Sequence, residues 1–476
     1  MERQTRSSRR PCVKKLAVGL VALVGGMSLM AAPASATTVI RIVASDGHRT
    51  NPVWYHDTSA VQVGSLLHLA WSTNAASVEA RTFNRTSGRF STAAAKVSVT
   101  TLDCGCLDST GTNPNRHDVP ALTADPVGRL YALYGGGTAA RSGAKNGPFF
   151  RAASKLNSIS SWGAEHRLSI PGAAYDFEVV RDNHGVSHIV GQQGDNPRGA
   201  GSLIYMKLAP GTSMAPGTLG VYHTLVQGGF DSTACAWRAT PGCNIYVIGR
   251  IAVGPANPRN PQIPAPLYAT WGWSEAGLSP TCGDPMGFCN HGLYMAASYD
   301  GGTAWQNASK TASTNVTLGP IPYNDSRYQV VAPSQNIGLY KALVVTGSYP
   351  GTPWIAYQPG ADQAAGKIVV THSSRGTWVA TTVDTSRSWN NHLVMASTAT
   401  GRLYLWSDIA QSGTHLGELT QWVGSTASAS WFKSYLTVGP NWFLTGTRVS
   451  GGELLMWRVP VSATATSVAF TIVPTA

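Results

Sequence analysis

Short apolar runs, usually opened by Gly or Pro and carrying an aromatic or histidine within a few residues, recur along the chain. They are Gly64-Ser-Leu-Leu-His-Leu-Ala-Trp71, Gly128-Arg-Leu-Tyr-Ala-Leu-Tyr134, Gly185-Val-Ser-His-Ile-Val190 and Ala265-Pro-Leu-Tyr-Ala-Thr-Trp271. Gly351-Thr-Pro-Trp-Ile-Ala-Tyr357, Gly401-Arg-Leu-Tyr-Leu-Trp406 and Pro440-Asn-Trp-Phe-Leu-Thr445 continue the series. After a Gly- or Ser-rich break a second strand-like run follows, as in Pro148-Phe-Phe-Arg-Ala-Ala-Ser154, Ser202-Leu-Ile-Tyr-Met-Lys207, Gly292-Leu-Tyr-Met-Ala-Ala-Ser298 and Glu453-Leu-Leu-Met-Trp457. A strand pair repeated at this spacing is the mark of a β-propeller, each repeat being one blade. The pattern therefore predicts an all-β chain: a seven-bladed β-propeller of four-stranded antiparallel blades.

The repeats place the blades near 50–105, 114–170, 171–225, 226–310, 311–382, 383–430 and 431–476. Thr38-Val-Ile-Arg-Ile-Val43 precedes them and is expected to complete the last blade, closing the ring and removing an exposed edge. Long inserts fall at 103–116, 138–147, 193–201, 254–264 and 276–290. Binding usually resides on long loops carried by a rigid scaffold, so a site is expected around blades two to four.

Residues 1–36 stand outside this pattern. A basic start, an apolar stretch from Leu16 to Ala32 and Ala34-Ser-Ala36 have the form of a cleaved secretion leader, leaving 37–476 as one propeller domain. Ser8-Arg9-Arg10 fits a twin-arginine export signal, with ordinary secretion as the alternative. No later segment reads as a membrane helix. Composition agrees with many tight turns: 51 Gly, 28 Pro and only 12% charged residues. Of 35 Lys+Arg and 23 Asp+Glu, the leader takes six and one, leaving 29 and 22, a net of +7. That mild excess suits an extracellular acidic polysaccharide or oligosaccharide, and the absence of a Lys/Arg-dense stripe argues against nucleic acid. A closed propeller has little need of a partner subunit, so a monomer is expected.

Cys12 belongs to the leader. The remaining six cysteines fall in local pairs, Cys104/Cys106, Cys235/Cys243 and Cys282/Cys289, and the last two pairs are expected to close short disulfide loops. Cys104-Gly-Cys106 would make a strained ring, and a zinc site is the rival reading. Nothing in the sequence requires a cofactor; structural calcium or zinc stays open.

Ser298-Tyr-Asp-Gly-Gly-Thr-Ala-Trp305 is the most specific short motif. Asp300 can accept bonds from the backbone of its own turn, Gly301 and Gly302 tolerate positive φ, and Trp305 can pack beneath, so Ser298, Asp300, Gly302 and Trp305 are assigned a structural role. It resembles the Asp box, the hairpin turn repeated in sialidase-like propellers. Together with Asn115-Arg-His-Asp-Val-Pro-Ala-Leu122, Ser160-Ser-Trp-Gly-Ala-Glu165, Tyr246-Val-Ile-Gly-Arg250, Thr270-Trp-Gly-Trp273 and Asn290-His-Gly-Leu-Tyr294, it makes the chain resemble the BNR-repeat propellers. The subgroup it is similar to contains secreted seven-bladed polysaccharide lyases, including ulvan lyases and rhamnosyl-glucuronate lyases.

The resemblance implies β-elimination at a uronate. A base takes the proton α to the carboxylate, a donor protonates the leaving oxygen, and cationic or hydrogen-bonding groups steady the charge between. It implies catalytic roles for His117, Tyr175 and His291, with Asn290 beside the latter. His188, alternating within its strand, is a candidate for the channel wall. The chain departs from the family at Gly137 and Gly191, where a second histidine and a neutralising arginine would stand, and at Ser274. Arg198 and Arg250 are then the expected substrate-binding cations. Two other classes stay open: a glycoside hydrolase of sialidase-like architecture, for which Glu178 and Glu275 are the few acidic candidates, and a sugar-binding propeller without catalysis.

Overall fold

The computed structural model describes residues 39–47, 58–73, 75, 77–91, 93–100, 119–135, 148–170, 173–194, 201–211, 222–232, 242–275, 289–308, 319–337, 341–359, 366–387, 392–408, 418–438, 442–461 and 466–475. They build seven antiparallel sheets arranged as a seven-bladed β-propeller, as the repeat predicts. The inner strands, in blade order, are Ala60–Val63, Ala121–Ala124, Ala173–Arg181, Cys243–Val253, Ala342–Thr346, Leu393–Ser397 and Trp442–Val449. All seven line one central channel.

The recurrent motif marks the second strand of each blade, except its seventh copy, which marks an inner strand. Its opening glycine sits in the tight turn from the inner strand, where Gly128 takes φ 93°. Blade seven makes the same turn at Ser450-Gly451, so its matching run is Gly452–Pro460.

Ring closure follows the expected route. Arg41–Ala44 pairs antiparallel with Thr466–Pro474 as the outer strand of blade seven, Arg41 opposite Phe470. Two boundaries move. Blade five begins at Ala342, because Gln329–Asn336 adds to the outside of blade four and Ile321–Pro322 pairs parallel with the outer strand of blade three. Blade six extends to Val438 along its outer strand Ser428–Val438.

The apolar runs lack strict alternation because both faces of every blade are buried. Among the described residues the core divides into seven clusters, one at each junction between neighbouring blades. Successive residues part to opposite neighbours: Leu454 and Met456 face blade one, Leu455 and Trp457 face blade six. Non-local packing of this kind holds each blade between two others, and Arg151, Glu165 and Gln192 reinforce it with hydrogen bonds between blades.

His68 illustrates the cost of a polar group in such a wall. It is fully buried in blade one, with Nδ1 bonded to Thr82 Oγ1 at 3.0 Å, and burial pulls its imidazole down to about 4. The unfolded chain then binds the proton more readily between its ordinary value and 4. Stability supplied by the neutral ring is therefore present above pH ~6.5 and lost as pH falls towards 4, by on the order of 3 kcal/mol. Comparing denaturant unfolding at pH 7 and pH 4.5 for the protein and His68→Gln should show the smaller pH loss in the variant. Equal losses would remove His68 from the acid sensitivity.

Candidate functional site at the channel mouth

The inner strands start at one end of the channel and finish at the other, which separates two sets of side chains. At the starting end, Tyr175 opens the inner strand of blade three and Tyr246 that of blade four, and a hydrogen bond joins their side chains. Burial pushes the Tyr175 phenol above its ordinary range; the Tyr246 bond opposes this and the nearby Asp176 carboxylate adds to it. Between Tyr175 and Glu178 the strand carries a β-bulge, and Asp176 within it takes φ 55°. A non-glycine residue in the left-handed region beside a bulge re-aims its neighbours at some cost in strain.

Blade four supplies the rest. Trp273 and Glu275 end its second strand; Asn290 and His291 begin its third, with Trp273 opposite His291 and Ser274 opposite Asn290. The His291 ring packs 4.4 Å from Trp273, and Tyr323 lies edge-on to the same indole at 4.9 Å. Tyr323 donates to Asp231, and His291 Nε2 lies 3.7 Å from Glu275 Oε2. Three buried polar atoms here, Ser274 Oγ, Asn290 Nδ2 and His291 Nε2, have no hydrogen-bond partner among the described residues. Ser274 and Asn290 face each other on one side of the blade, whereas His291, with Trp273 and Glu275, faces the other; buried polar groups are nearly always satisfied, so each of these atoms marks a place for a ligand or an ordered water.

One layer deeper, Glu178 and Arg250 meet across blades three and four. Arg250 Nη2 is 2.8 Å and Nε 3.0 Å from Glu178 Oε1, while Glu178 Oε2 accepts the Ile251 N–H at 2.8 Å. Arg250 Nη1 reaches the Lys341 carbonyl at 3.3 Å. Burial pushes the Glu178 carboxyl up, and the guanidinium and amide pull it back. Arg250 thus ties two blades together within the channel wall.

The remaining expected residues separate. His188 lies in the second strand of blade three, away from the channel: Nδ1 bonds Tyr205 Oη at 2.6 Å and Nε2 bonds Asp182 Oδ2 at 3.1 Å. Tyr205 in turn packs edge-on against Trp305 at 5.5 Å and bonds the Gly301 carbonyl. His188 therefore clamps blade three to the Asp box of blade four, at the far end of the channel. In that box Asp300 Oδ1 accepts from Thr303 N and Ala304 N at 2.9 Å and from Ser298 Oγ at 2.8 Å, and Gly302 N donates to Ser298 Oγ. At Gly302, φ is 80° and a Cβ would come within 1.9 Å of Tyr205 Oη. Asp300→Ala should lower unfolding stability by roughly 1–3 kcal/mol, since two amides lose their acceptor; an unchanged denaturation midpoint would contradict the role.

Gly191 is packed against Phe177: a Cβ there would lie 2.6 Å from the ring. An aromatic side chain fills the space beside this glycine. Trp271 is fully buried and stacked on Tyr294 at 5.6 Å, which makes it core. The insert at 254–264 follows the finishing end of its inner strand and is held to blade three by Asn183 and His184, so it does not border the mouth. His117, Gly137, Arg198, Cys104, Cys106, Cys235 and Cys282 lie outside the described residues, as does the side chain of Cys289. Cys243 is disulfide-bonded. Among the described residues no three His, Cys, Asp or Glu side chains gather as a metal site, and no helix is long and apolar enough to cross a membrane.

Asp176, Tyr246, Tyr323 and Asp231 were not singled out for this site by sequence reasoning. Tyr246 stood in a quoted motif, but the bulge at Asp176 has no local signal.

No protein-family model and no curated protein matches the chain. Among solved structures it is similar to an ulvan lyase described as a new family of polysaccharide lyase, at 12% identity and TM-score 0.67, over 91% of this chain and 96% of that one. The same lyase bound to a glucuronate–sulfated rhamnose unit, -[GlcA(1-4)Rha3S]-, matches at 11% identity and TM-score 0.67, over 91% and 96%. An α-L-arabinanase from Penicillium chrysogenum matches at 11% identity, over 75% of this chain and 92% of that one, with a TM-score of 0.41. At these identities the first two define a shared fold class: full-length seven-bladed propellers.

Proposed function

We propose that the protein is a secreted polysaccharide lyase that cleaves an acidic polysaccharide containing uronate and rhamnose by β-elimination at the channel mouth. The carrying observation is the His291 ring packed on Trp273 beside Glu275, with Nε2 lacking a hydrogen bond among the described residues. It stands on a fold shared over nearly its full length with an ulvan lyase whose complex holds a glucuronate-containing unit.

In the reaction a base removes the proton on the carbon α to the carboxylate, and the electron pair moves towards the carboxylate oxygens. It then returns to form the carbon–carbon double bond as the bond to the glycosidic oxygen breaks, and that oxygen takes a proton. Tyr175, its phenol held protonated by burial, suits the donor. His117 is the base in this reading. With Phe177 in the place of one cation and Arg250 committed to Glu178, the carboxylate charge falls to Asn290 and His291, with Arg198 as the added cation. In the same reading Met1–Ala36 is a secretion leader, the Asp box places the chain beside BNR-repeat propellers, Cys235–Cys243 and Cys282–Cys289 are the disulfides, and the protein works as a monomer without a cofactor.

The test is ultraviolet absorbance of the conjugated unsaturated uronate while mature protein meets ulvan, gum arabic, pectin fragments and glucuronan, with His117→Ala alongside. A rising signal lost in the variant is expected. A flat trace with release of reducing sugar would move the reading to hydrolysis, and retained affinity without either would leave a binding propeller.

A further inference from the structure

We propose that the finishing end of the channel, opposite the candidate active site, is a second binding site, and that it takes a small organic carboxylate between Arg448 and Glu453. The inference does not rest on the proposed reaction.

The final halves of the seven inner strands and the turns after them enclose a cavity of about 1070 Å³. Five charged side chains line it: Glu178, Arg181, Arg250, Arg448 and Glu453. Glu178 and Arg250 satisfy each other, and Arg181 donates to the Ala124 carbonyl at 2.8 Å. Glu453 and Arg448 are left. They are cross-strand partners in blade seven, yet among the described residues neither side chain makes a hydrogen bond or an ion pair.

Glu453 stems from the second strand of blade seven, 5% exposed, and reaches the channel over Gly446 of the inner strand. A Cβ at 446 would lie 3.1 Å from Glu453 Oε1 and 2.3 Å from Val394 Cγ1. The glycine therefore leaves the opening through which a buried carboxyl faces the cavity. Such a group without a partner costs stability unless something in the cavity meets it.

Charge and lining choose the occupant. Three arginines against two carboxyls leave the cavity positive, which disfavours an ammonium group or metal cation. Its lining holds no aromatic ring, the usual platform for a sugar face, and many aliphatic side chains such as Val179, Ile251, Val344, Val394 and Met395. Burial pushes Glu453 up to about 8 against the pull of Arg448 and Arg250, so at neutral pH it offers a proton to an acceptor. A carboxylate can take the Arg448 fork with one edge and the Glu453 O–H with the other. A free organic acid and the uronate end of an oligosaccharide share that chemistry.

Calorimetric titration of the mature protein at pH 6.5 with acetate, glucuronate and glucose tests the site. Saturable binding of acetate shows that a free acid suffices; binding of glucuronate but not acetate assigns the sugar acid; glucose should not bind. Arg448→Met, an exposed position, should weaken the carboxylate by at least about tenfold without moving the melting temperature. Above pH 8 the affinity of the protein should fall at the step where Glu453, which shares the cavity with Arg448, Arg250, Arg181 and Glu178, loses its proton. Lys341, whose carbonyl takes Arg250, is pulled down to about 7 by burial and by Arg250, and loses its proton below it. Glu453→Gln keeps a donor and should bind at pH 6.5 while losing the fall above pH 8. No saturable carboxylate binding, equal binding of glucose, or affinity indifferent to Arg448→Met would overturn the proposal.

Discussion

His291→Ala is expected to lower the rate of uronate elimination by about 10²–10⁴-fold while leaving thermal stability nearly unchanged, the range a positioned proton-transfer or hydrogen-bonding side chain supplies. The two halves of the prediction come from different observations. The rate loss follows from the position of the ring, between Trp273 and Glu275 at the mouth, with Nε2 lacking a hydrogen bond among the described residues. The small stability change follows because the truncation removes one ring contact and a 3.7 Å approach to Glu275 Oε2, longer than a hydrogen bond, along with a buried nitrogen that has no hydrogen-bond partner among the described residues. The measurement pairs initial rates on the best substrate of the uronate panel with a melting curve for each protein. A lowered melting temperature with an unchanged rate would make His291 a packing residue. His68→Gln serves as the contrasting histidine, expected to change stability against pH and leave the rate alone.

Arg250→Met should destabilise the fold by about 3–5 kcal/mol, the usual cost of leaving a buried carboxylate without its partner. Glu178 is held by Arg250 at 2.8 Å and by the Ile251 amide, on a wall where both charged groups are buried. Removing the guanidinium leaves the amide alone to stabilise the charge. Glu178→Gln in the same chain should recover much of the loss, because the neutral amide oxygen still accepts from Ile251 N–H and no charge is stranded. Denaturant midpoints and slopes for the two single variants and the double variant give the coupling directly. If Arg250 instead served only as the cation for substrate, Arg250→Met would raise KM with little change in midpoint, and the double variant would gain nothing.

The candidate site was legible in part. Asn290 and His291 stand together in a strand whose motif is readable, and they begin the third strand of blade four opposite Ser274 and Trp273. His188 and Arg250 show what local pattern leaves out. Alternation along Val186-Ser-His-Ile-Val190 indicates that His188 faces one side of its blade, but not that Asp182 and Tyr205 wait there. Arg250 meets an acid 72 positions earlier, and no pattern within either strand records that meeting. Gly191 reads as the loss of an arginine, whereas the structure shows its space occupied by Phe177.

The amino-acid sequence by itself determined the repeating strand pair, the seven blades and their tight turns, because those depend on residues within a few positions of one another. Apolar runs, the glycines that open them and the Asp-box turn each act locally, and seven repeats of one unit allow one ring. Tertiary structure alone decided which side chains face which. Each blade is buried on both faces, so the same apolar code serves either neighbour and carries no address. The bulge at Asp176, the Glu178–Arg250 tie and the opening at Gly446 that brings Glu453 to the channel exist only once blades distant in sequence are packed side by side.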